Sequence, residues 1–474
     1  MNTSAYEMVI GLEVHVELKT KSKIFCSCST AFGAAPNTQC CPVCTGMPGT
    51  LPVLNEQVVR YAVLAGMATN CTIASFSKQD RKNYFYPDLP KAYQISQYDL
   101  PLCEHGYLDI EDEKGTKRIG ITRIHIEEDA GKLVHVEGKG TLCDYNRCGV
   151  PLIEIVSEPD LRSAAQVKAY LQKLRAILLY VNVSDCKMNE GSLRCDVNLS
   201  VRKIGAKEFG TRTEMKNLNS FQFIGKAIEY EFKRQIEALE NGESIIQETR
   251  RYDQASGKTY SMRKKEDAND YRYFPDPDLV PIVVSKELLS ELRASIPTLP
   301  DARKKQYMKD YGLSSYDAER LVTEKEIADY FEAAAVQCKS PKLIANFLLG
   351  EIARLMPAES TVIPIIPQHM ALVADMLESG RINNGSAKKL LSMLWQQDND
   401  PELLVKEHKL EQISDRTVLA EICTAVIAAN EKSVADYKGG KAQALQALLG
   451  QAMGKTGGQA NPAILRELML ELLK

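Results

Sequence analysis

The stretch Leu12-Glu13-Val14-His15-Val16-Glu17-Leu18 decides the fold of the N-terminal part of the chain. Every second residue is apolar, and this period of two predicts a β-strand that presents its apolar side chains on one face. Glu13, His15 and Glu17 then lie together on the opposite face. That face is either the solvated outer side of a half-buried strand or a working surface, and this strand alone leaves both interpretations open.

Three further segments repeat this layout. An apolar alternation runs into acids in Ile124–Asp129, and in Pro151–Glu158 the carboxylate of Glu154 lies inside an apolar run, where burial is costly unless the charge is paired or metal-bound. The alternation in Leu193–Val201 groups four polar residues on one face, namely Arg194, Asp196, Asn198 and Ser200. Four such strands suggest a sheet whose second face is a working surface. Carboxylates and one imidazole are suitable ligands for a hard divalent ion, and a basic residue such as Arg194 can meet phosphate, but the spacing alone leaves a metal–nucleotide site and a solvated polar face both open.

Length and composition limit what the rest of the chain can be. With 474 residues, the chain has room for about three domains. Its 44% hydrophobic and 26% charged residues are typical of globular proteins, and its net charge of −3 implies that any contact with nucleic acid is local. The apolar stretches fall short of the roughly 20 residues that cross a bilayer, and the start lacks a basic and apolar leader, so we expect a cytoplasmic protein.

The patterning changes along the chain. Up to about Val201 it favours short strands, with helices predicted after Ser163 and after Ser220. Beyond Ile296 the chain consists of amphipathic stretches rich in Ala, Leu, Lys and Glu, which predict helices. The last part carries cationic glycine-rich segments around Lys438, Lys441 and Lys455 and ends in a helix predicted from Pro462.

Five of the 13 cysteines lie between Cys26 and Cys44. The pairs Cys26-Ser27-Cys28 and Cys41-Pro42-Val43-Cys44 are typical of two knuckles that close a tetrahedral zinc site. Four thiolates leave no open position, so the ion would be structural. Cys40 could compete for the metal or stay free, and the alternative for the whole cluster is a set of small buried hydrophobic residues.

Common phosphate-binding and amidase motifs are absent from the sequence. It contains neither a P-loop nor a dinucleotide-type glycine fingerprint. The segments Ser77–Pro87 and Lys91–Gln97 interleave cations with aromatics, which suits phosphate contact and base stacking but also fits a solvated loop. Lys216 lies just ahead of a predicted helix N-terminus, a good place for an anion. No amidase-type serine motif is present, so any ammonia that is used must be made elsewhere.

Several long motifs resemble those of one enzyme family, the B subunits of aspartyl/glutamyl-tRNA amidotransferases. The similarity spans essentially the whole chain. The motifs are Val9–Leu18, Asp80–Asp88, His125–Lys132, Pro151–Asp160, Gly191–Asn198, Met215–Phe221, Gln247–Arg251, Tyr271–Pro275 and Gly458–Pro462.

This resemblance implies an α+β protein. Its parts would be a mostly antiparallel sheet cradle with flanking helices over residues 1–295, an all-α domain over 296–405 and a small all-α tail over 406–474 that grips tRNA. The implied activity is that of a carbon–nitrogen ligase. ATP and magnesium serve to phosphorylate the side-chain carboxylate of misacylated Glu-tRNA(Gln) or Asp-tRNA(Asn), and ammonia then displaces phosphate to give the amide.

The resemblance also implies partners and site residues. The implied partners include the A subunit of such enzymes, an amidase that releases ammonia from glutamine, and a small C subunit. The tRNA and the non-discriminating synthetase are further implied partners, and no membrane is involved. His15, Glu128 and Glu154 would hold magnesium, with Glu13 close by as a further catalytic residue. The set Arg81, Lys82, Arg194 and Lys216 would contact ATP phosphates or the tRNA 3′ end, and Cys26, Cys28, Cys41 and Cys44 would hold zinc. Asn189 stands where the family pattern leads us to expect an acid.

Two other classes of function compete with this interpretation. The first is an RNA-binding adaptor that is stabilised by zinc and catalyses no reaction. The acids on the polar face of the predicted sheet argue against it, because they would repel RNA. A stand-alone metallohydrolase using His15 and the acids would be active without ATP or a partner.

Overall fold

The computed structural model describes residues 3–264, 271–357 and 360–473. Two compact units divide the chain, Met1–Pro300 and Asp301–Lys474. No helix within the described ranges combines the length and the apolar character that a bilayer span requires.

The strands lie in the first unit. They are β1 (Tyr6–Glu17), β2 (Thr72–Ile73), β3 (Phe76–Ser77), β4 (Asp80–Asn83), β5 (Tyr93–Ser96), β6 (Cys103–Asp112), β7 (Gly115–Glu128), β8 (Lys132–Val136), β9 (Gly140–Asp144), β10 (Pro151–Ser157), β11 (Leu193–Lys203), β12 (Thr213–Lys216), β13 (Glu248–Asp253), β14 (Lys258–Lys264), β15 (Phe274–Pro275) and β16 (Ile282–Val283).

The helices of the first unit are α1 (Glu56–Ala68), α2 (Ala164–Tyr180), α3 (Phe221–Glu240) and α4 (Lys286–Ser295). Those of the second are α5 (Pro300–Asp310), α6 (Ser315–Val322), α7 (Lys325–Ala335), α8 (Pro341–Phe347), α9 (Ala353–Leu355), α10 (Pro367–Glu378), α11 (Asn384–Gln396), α12 (Pro401–Glu407), α13 (Arg416–Ala429), α14 (Glu431–Lys438), α15 (Gln443–Lys455) and α16 (Pro462–Leu473).

A nine-stranded sheet in the order β14-β13-β12-β11-β1-β10-β7-β6-β2 organises the first unit. Its strand pairs are antiparallel except for β12 and β13, which run parallel. The mostly antiparallel α+β architecture predicted from the sequence is therefore confirmed. The opening strand β1 lies at the centre of the order, between β10 and β11.

One face of this sheet is apolar and covered by helices. Leu12, Val14 and Val16 of β1 are buried in a core that also contains Val63 of α1 and Leu174 of α2. Between these buried positions, Glu13, His15 and Glu17 alternate to the other face and stay partly accessible. The period of two in the sequence therefore describes the strand correctly, and the acids and the imidazole share the face opposite the core.

Two serine caps fix where the flanking helices begin. The Ser163 hydroxyl accepts a hydrogen bond from the Gln166 backbone N–H at the start of α2, and the Ser220 hydroxyl accepts one from Phe223 at the start of α3. These bonds satisfy amide groups that have no partner within the helix. Both helices begin directly after the serines that the sequence predicted.

The second unit is helical, as predicted beyond Ile296. Helices α5 to α12 enclose one buried apolar cluster, which includes Phe331, Leu348 and Leu391. Helices α13, α15 and α16 enclose another, which includes Leu419 and Met469. The final helix spans Pro462–Leu473 and begins at the proline. The domain boundary at residue 405 stays a prediction.

Candidate functional site

Strand register aligns polar residues across the open face of the sheet. His15 of β1 is paired with Glu154 of β10 on one side and with Arg194 of β11 on the other. Glu154 is in turn paired with His125 of β7. Directly paired residues in neighbouring strands point to the same face. A row of imidazole and carboxylate groups therefore crosses three adjacent strands.

The carboxylate of Glu154 lies between two imidazoles. Its Oε2 atom is 3.5 Å from Nε2 of His15 and 3.5 Å from Nε2 of His125. His125 Nε2 also lies 3.2 Å from Oε1 of Glu127, two residues further along β7. His125 and Glu127 are buried, whereas His15 and Glu154 keep some exposure toward the open face.

The donor atoms of His15, Glu127 and Glu154 all lie within 4.8 Å of one another, and we call this set the carboxylate–imidazole cluster. Ligands about 2.1 Å from one ion lie at most about 4.2 Å apart, so small side-chain adjustments let all three reach a single cation. Two carboxylates and a neutral imidazole suit a divalent ion of the Mg²⁺ or Mn²⁺ kind. The residues present therefore fit the predicted metal.

Burial and charge act against each other at these carboxylates. Burial acts to raise the pKa of Glu127, but Lys82 and His125 outweigh it, and the pKa lies well below its ordinary value. Burial and the neighbouring Glu127 act to raise the pKa of Glu154, yet the two imidazoles keep that pKa lowered. Both groups are therefore ionised at neutral pH, the state that a metal ligand requires.

A second acidic group lies beside the first. Glu13, Asp196 and Glu214 also bring oxygen atoms within 4.8 Å of one another. Burial raises the pKa of Glu13, and the charges of Glu154 and Glu214 raise it further. Lys216 is ion-paired to Asp196 and lies 3.1 Å from Glu214, so it offsets part of this negative charge.

Glu128 does not lie in the carboxylate–imidazole cluster. Its carboxylate is ion-paired to Lys91 and accepts a hydrogen bond of 2.9 Å from the backbone N–H of Ile95. The structure thus brings His15 and Glu154 close to Glu127 and not to Glu128. The sequence held the signal for this difference, because His125 and Glu127 share one face of a strand whereas Glu128 falls on the other.

The four predicted phosphate contacts have different surroundings. Lys82 Nζ lies 4.0 Å from Glu127 Oε1, beside the cluster. Arg81 is ion-paired to Asp276 at 2.7 Å and to Asp278 at 3.3 Å, which ties β4 to the segment after β15.

Arg194 pairs with Asp129 through both of its terminal nitrogens, at 2.6 and 3.3 Å. Asp129 also contacts Glu17, and burial together with the Asp129 charge raises the pKa of Glu17 to about 8. Lys216 is occupied with the second acidic group, as described above. Lys82 is therefore the predicted phosphate contact that lies nearest to the cluster's carboxylates.

The predicted cysteine knuckles come together in the structure. The Sγ atoms of Cys26, Cys28, Cys41 and Cys44 lie within 4.8 Å of one another. Four sulfurs bound tetrahedrally to zinc at about 2.3 Å would be about 3.8 Å apart, so this group fits a Zn²⁺ ion after slight contraction. Cys40 lies outside it, and its thiol contacts the Asn37 carbonyl at 3.3 Å.

Cys44 carries the most acidic thiol of this group. A hydrogen bond from Cys26 lowers the pKa of Cys44 to about 4, with help from the Cys41 backbone N–H and Lys23 and against the effect of burial. Lys23 is fully buried and places its Nζ atom 3.5 Å from Cys44 Sγ. A thiolate stabilised in this way is the form that binds zinc.

An open sheet that carries an ionised carboxylate–imidazole cluster has the chemistry of an enzyme's metal-dependent site. Residues 8–290 match the family described as the GatB/GatE catalytic domain, and residues 329–473 match the family described as the GatB domain. The chain is therefore an enzyme subunit with a catalytic N-terminal domain and a helical C-terminal GatB domain.

Similar proteins agree with this class. The chain is 58% identical over 476 residues to the B subunit of the aspartyl/glutamyl-tRNA(Asn/Gln) amidotransferase of Caldicellulosiruptor saccharolyticus, with 99% of each chain covered. It is 56% identical over 471 residues, again with 99% of each chain covered, to the protein of the same name from Caldanaerobacter subterraneus subsp. tengcongensis. The chain belongs to the GatB family of amidotransferase subunits, and the resemblance found in the sequence is confirmed.

Proposed function

We propose that this chain is the transamidating subunit of an enzyme that converts misacylated Glu-tRNA(Gln), Asp-tRNA(Asn) or both to the amidated forms. The observation that carries this proposal is the carboxylate–imidazole cluster on the open sheet of a chain whose N-terminal part matches the GatB/GatE catalytic domain. The relatives' name states both the tRNA substrates and the amidotransferase reaction.

The reaction has two steps. An oxygen of the side-chain carboxylate on the tRNA attacks the γ-phosphorus of ATP, which releases ADP and leaves an acyl phosphate. Ammonia then attacks the carbonyl carbon, phosphate leaves, and one proton is lost to give the amide. Activation is needed because a carboxylate repels nucleophiles and has no good leaving group.

The chain's own residues have distinct roles in this scheme. His15, Glu127 and Glu154 would hold magnesium, which when bound offsets the charge on phosphate oxygens during transfer. Lys82 lies 4.0 Å from Glu127 Oε1 and would supply a positive charge for phosphate oxygens beside this cluster. Glu13 belongs to the second acidic group, where Lys216 keeps a cation close to the site.

Glu128 has a different role because it is ion-paired to Lys91. Together they line a cavity of about 140 Å³ that also reaches the cysteine knuckle. The zinc at Cys26, Cys28, Cys41 and Cys44 would be structural, since four thiolates complete its coordination. Arg81 and Arg194 would act indirectly, by fixing the segments that carry Lys82 and Asp129.

The amidotransferase would also require partners. We propose an amidase as the A subunit and a small C subunit, because the sequence contains no amidase-type serine motif and the relatives are named as one subunit of a larger enzyme. The non-discriminating synthetase would supply the misacylated tRNA. The sheet domain would comprise residues 1–295, the helical domain 296–405 and the tRNA-binding tail 406–474, in a cytoplasmic protein.

Amide formation on separately prepared Glu-tRNA and Asp-tRNA tests this function, with ATP, ammonia or glutamine, and partner subunits each omitted in turn. The proposal expects amide only when ATP is present, and expects a partner to be needed when glutamine is the nitrogen donor. Hydrolytic activity of the isolated chain in the absence of ATP would instead indicate a metallohydrolase. Binding of tRNA without any consumption of ATP would indicate an RNA-binding adaptor.

A further inference from the structure

Four tyrosines form a continuous row at the edge of the carboxylate–imidazole cluster. The rings of Tyr98 and Tyr273 are stacked, with centroids 4.4 Å apart and an interplanar angle of 7°. Tyr273 meets Tyr271 edge to face at 6.0 Å, and Tyr271 meets Tyr84 in the same way at 5.9 Å. We call Tyr98, Tyr273, Tyr271 and Tyr84 the tyrosine row.

The chain builds this row from two segments that are distant in sequence. Strand β15 pairs with β4, and β4 pairs with β5, so the segment around Phe274 lies against residues 80–96. The backbone N–H of Asn83 donates a hydrogen bond of 2.9 Å to the Tyr271 carbonyl, and the Arg81–Asp276 ion pair reinforces the contact. The tyrosines are therefore held by sheet pairing and not only by contacts between their rings.

Lys82 joins the row to the cluster. Its ammonium group lies 5.1 Å from the centroid of the Tyr271 ring and 4.0 Å from Glu127 Oε1. Burial raises the pKa of Tyr273 to about 12, and the charges of Glu127 and Glu154 contribute to the increase, which places this hydroxyl in the field of both cluster carboxylates. The inner part of the row thus borders the proposed reaction site.

The outer end of the row is open to solvent. Tyr98 keeps 57% of its surface exposed although one face of its ring packs on Tyr273. The backbone under it is fixed, because its N–H donates to Asp80 Oδ2 at 2.9 Å and its carbonyl accepts from Arg123 Nη1 at 2.7 Å. An aromatic ring that is rigidly held and half exposed is a platform for stacking.

We propose that the tyrosine row receives the 3′-terminal adenosine of the aminoacyl-tRNA. This inference rests on the proposed function and identifies the subsite for one part of its substrate. The amino acid whose carboxylate is amidated is esterified to the ribose of that adenosine, so its base lies no farther from the reaction site than one ribose and one aminoacyl group can span. Proteins commonly bind unpaired RNA bases by stacking them on aromatic side chains.

The charges near the row favour this occupant over the adenine of ATP. A triphosphate carries several negative charges and needs several cations. Among the described side chains, the Lys82 ammonium lies over a ring of the row, and Arg123 donates to the backbone carbonyl of Tyr98. Arg81 is paired with Asp276, and Lys91 is paired with Glu128. The Lys82 ammonium also lies 4.0 Å from Glu127 Oε1, so its charge serves the cluster, and the neutral phenol rings of the row match a neutral base.

Binding of two RNA probes to the full-length chain tests the inference. One probe is an uncharged tRNA with its complete 3′ end, and the other is the same tRNA without the terminal adenosine. We expect the wild type to bind the complete tRNA about tenfold more tightly, which is the effect of one stacked base. Tyr98→Leu should remove most of this difference, and Tyr98→Phe should keep it because the ring is retained.

Two further variants and one kinetic constant complete the design. Tyr273→Leu should act like Tyr98→Leu, while Tyr316→Leu, at an exposed tyrosine of the second unit, should leave the discrimination intact. Each variant must keep the wild-type melting temperature. The KM for ATP in amide formation should stay within about twofold of wild type in Tyr98→Leu, because the row does not hold the ATP base.

Equal affinity of the wild type for both probes would overturn the inference, as would full discrimination in both leucine variants. A raised KM for ATP with discrimination unchanged would assign the row to the nucleotide instead. Wild-type amide formation on Glu-tRNA and Asp-tRNA, measured in parallel, keeps the two ideas separate. If no amide forms, the proposed function fails; if amide forms but the probes bind equally, only this inference fails.

Discussion

The Oε2 atom of Glu154 lies 3.5 Å from the Nε2 atom of His15 on the neighbouring strand. The same oxygen lies 3.5 Å from Nε2 of His125 on the strand at the other side. The carboxylate of Glu154 therefore lies between the imidazoles of His15, in the carboxylate–imidazole cluster, and of His125 beside it. Removing the Glu154 charge while keeping the shape of the side chain is the most direct test of the cluster.

Glu154→Gln should abolish amide formation, with a loss of at least about a hundredfold in kcat, while tRNA affinity stays within about twofold of wild type. The neutral amide keeps the volume but is a poor ligand for a hard cation. Glu158→Gln, at an exposed position just beyond the end of β10, serves as the matched control and should retain activity. Loss of tRNA binding in a folded Glu154→Gln protein would contradict a role in metal binding.

Glu127→Gln and Glu128→Gln should differ, although the residues are adjacent. Glu127 belongs to the cluster and Glu128 is ion-paired to Lys91. We expect Glu127→Gln to raise the magnesium concentration needed for half-maximal activity at least about tenfold and to weaken Mn²⁺ binding measured by electron paramagnetic resonance. Glu128→Gln should leave the metal dependence near wild type. The reverse result would restore the assignment made from the sequence.

Cys41→Ser should lower the melting temperature by several degrees and remove about one equivalent of zinc per chain, because a structural metal site contributes directly to folding. Cys40→Ser is the matched control, since Cys40 lies next in sequence but outside the sulfur group. Metal analysis and thermal unfolding of the two variants provide the comparison. A zinc content that is normal in Cys41→Ser and reduced in Cys40→Ser would show that the knuckle uses a different cysteine.

Local features of this fold can be predicted from the sequence because they depend on neighbouring residues. The alternation around His15, the caps at Ser163 and Ser220 and the helix start at Pro462 each follow from side-chain period or capping chemistry. The family resemblance adds the architecture.

The features that the sequence does not predict depend on pairing between distant segments. Arg81 meets Asp276 and Asp278 because β4 pairs with β15, and nothing local to either segment indicates that contact. Strand alternation places Glu127 and Glu128 on opposite faces, but only the pairing of β7 with β10 shows that the face of Glu127 is the one that carries Glu154. His125 is absent from the predicted metal site for the same reason, although strand alternation places it on the same face as Glu127.

Glu231→Gln should destabilise the first unit by roughly 3–5 kcal/mol, the usual effect of breaking a buried ion pair. Glu231 is fully buried, pairs with Arg234 at 2.6 Å and Arg250 at 3.4 Å, and accepts hydrogen bonds from Thr213 and Thr259. It thereby ties α3 to the strands β12, β13 and β14. Glu229→Gln, on the exposed side of the same helix, should cost little.

The effect of Glu231 should depend on pH in a defined direction. Burial acts to raise its pKa, but Arg234 outweighs burial, so the folded-state pKa lies below the ordinary value of 4.5. A depressed pKa contributes stability above about pH 4.5 and loses it as the pH falls through the folded-state value. The difference in unfolding free energy between wild type and Glu231→Gln, measured with denaturant, should therefore shrink below about pH 4.5. A difference that grew there would contradict the assignment.

The tail helices should bind tRNA through exposed lysines, and their packing dictates how this can be tested. Truncation at Ser433 would remove α15 and α16 and uncover Leu419 of α13, which shares a buried cluster with Met469, so aggregation would obscure any loss of binding. Replacing Lys438 and Lys455 with alanine leaves that cluster intact. We expect the double variant to bind tRNA more weakly and to keep the wild-type melting temperature. The number of counterions released on binding, read from the salt dependence of the affinity, should fall by about one to two. Lys388→Ala, at an exposed lysine of α11, is the control. If the Lys438/Lys455 variant and Lys388→Ala lost the same amount of tRNA affinity per lysine, the overall positive charge would account for binding, and the tail would have no special role.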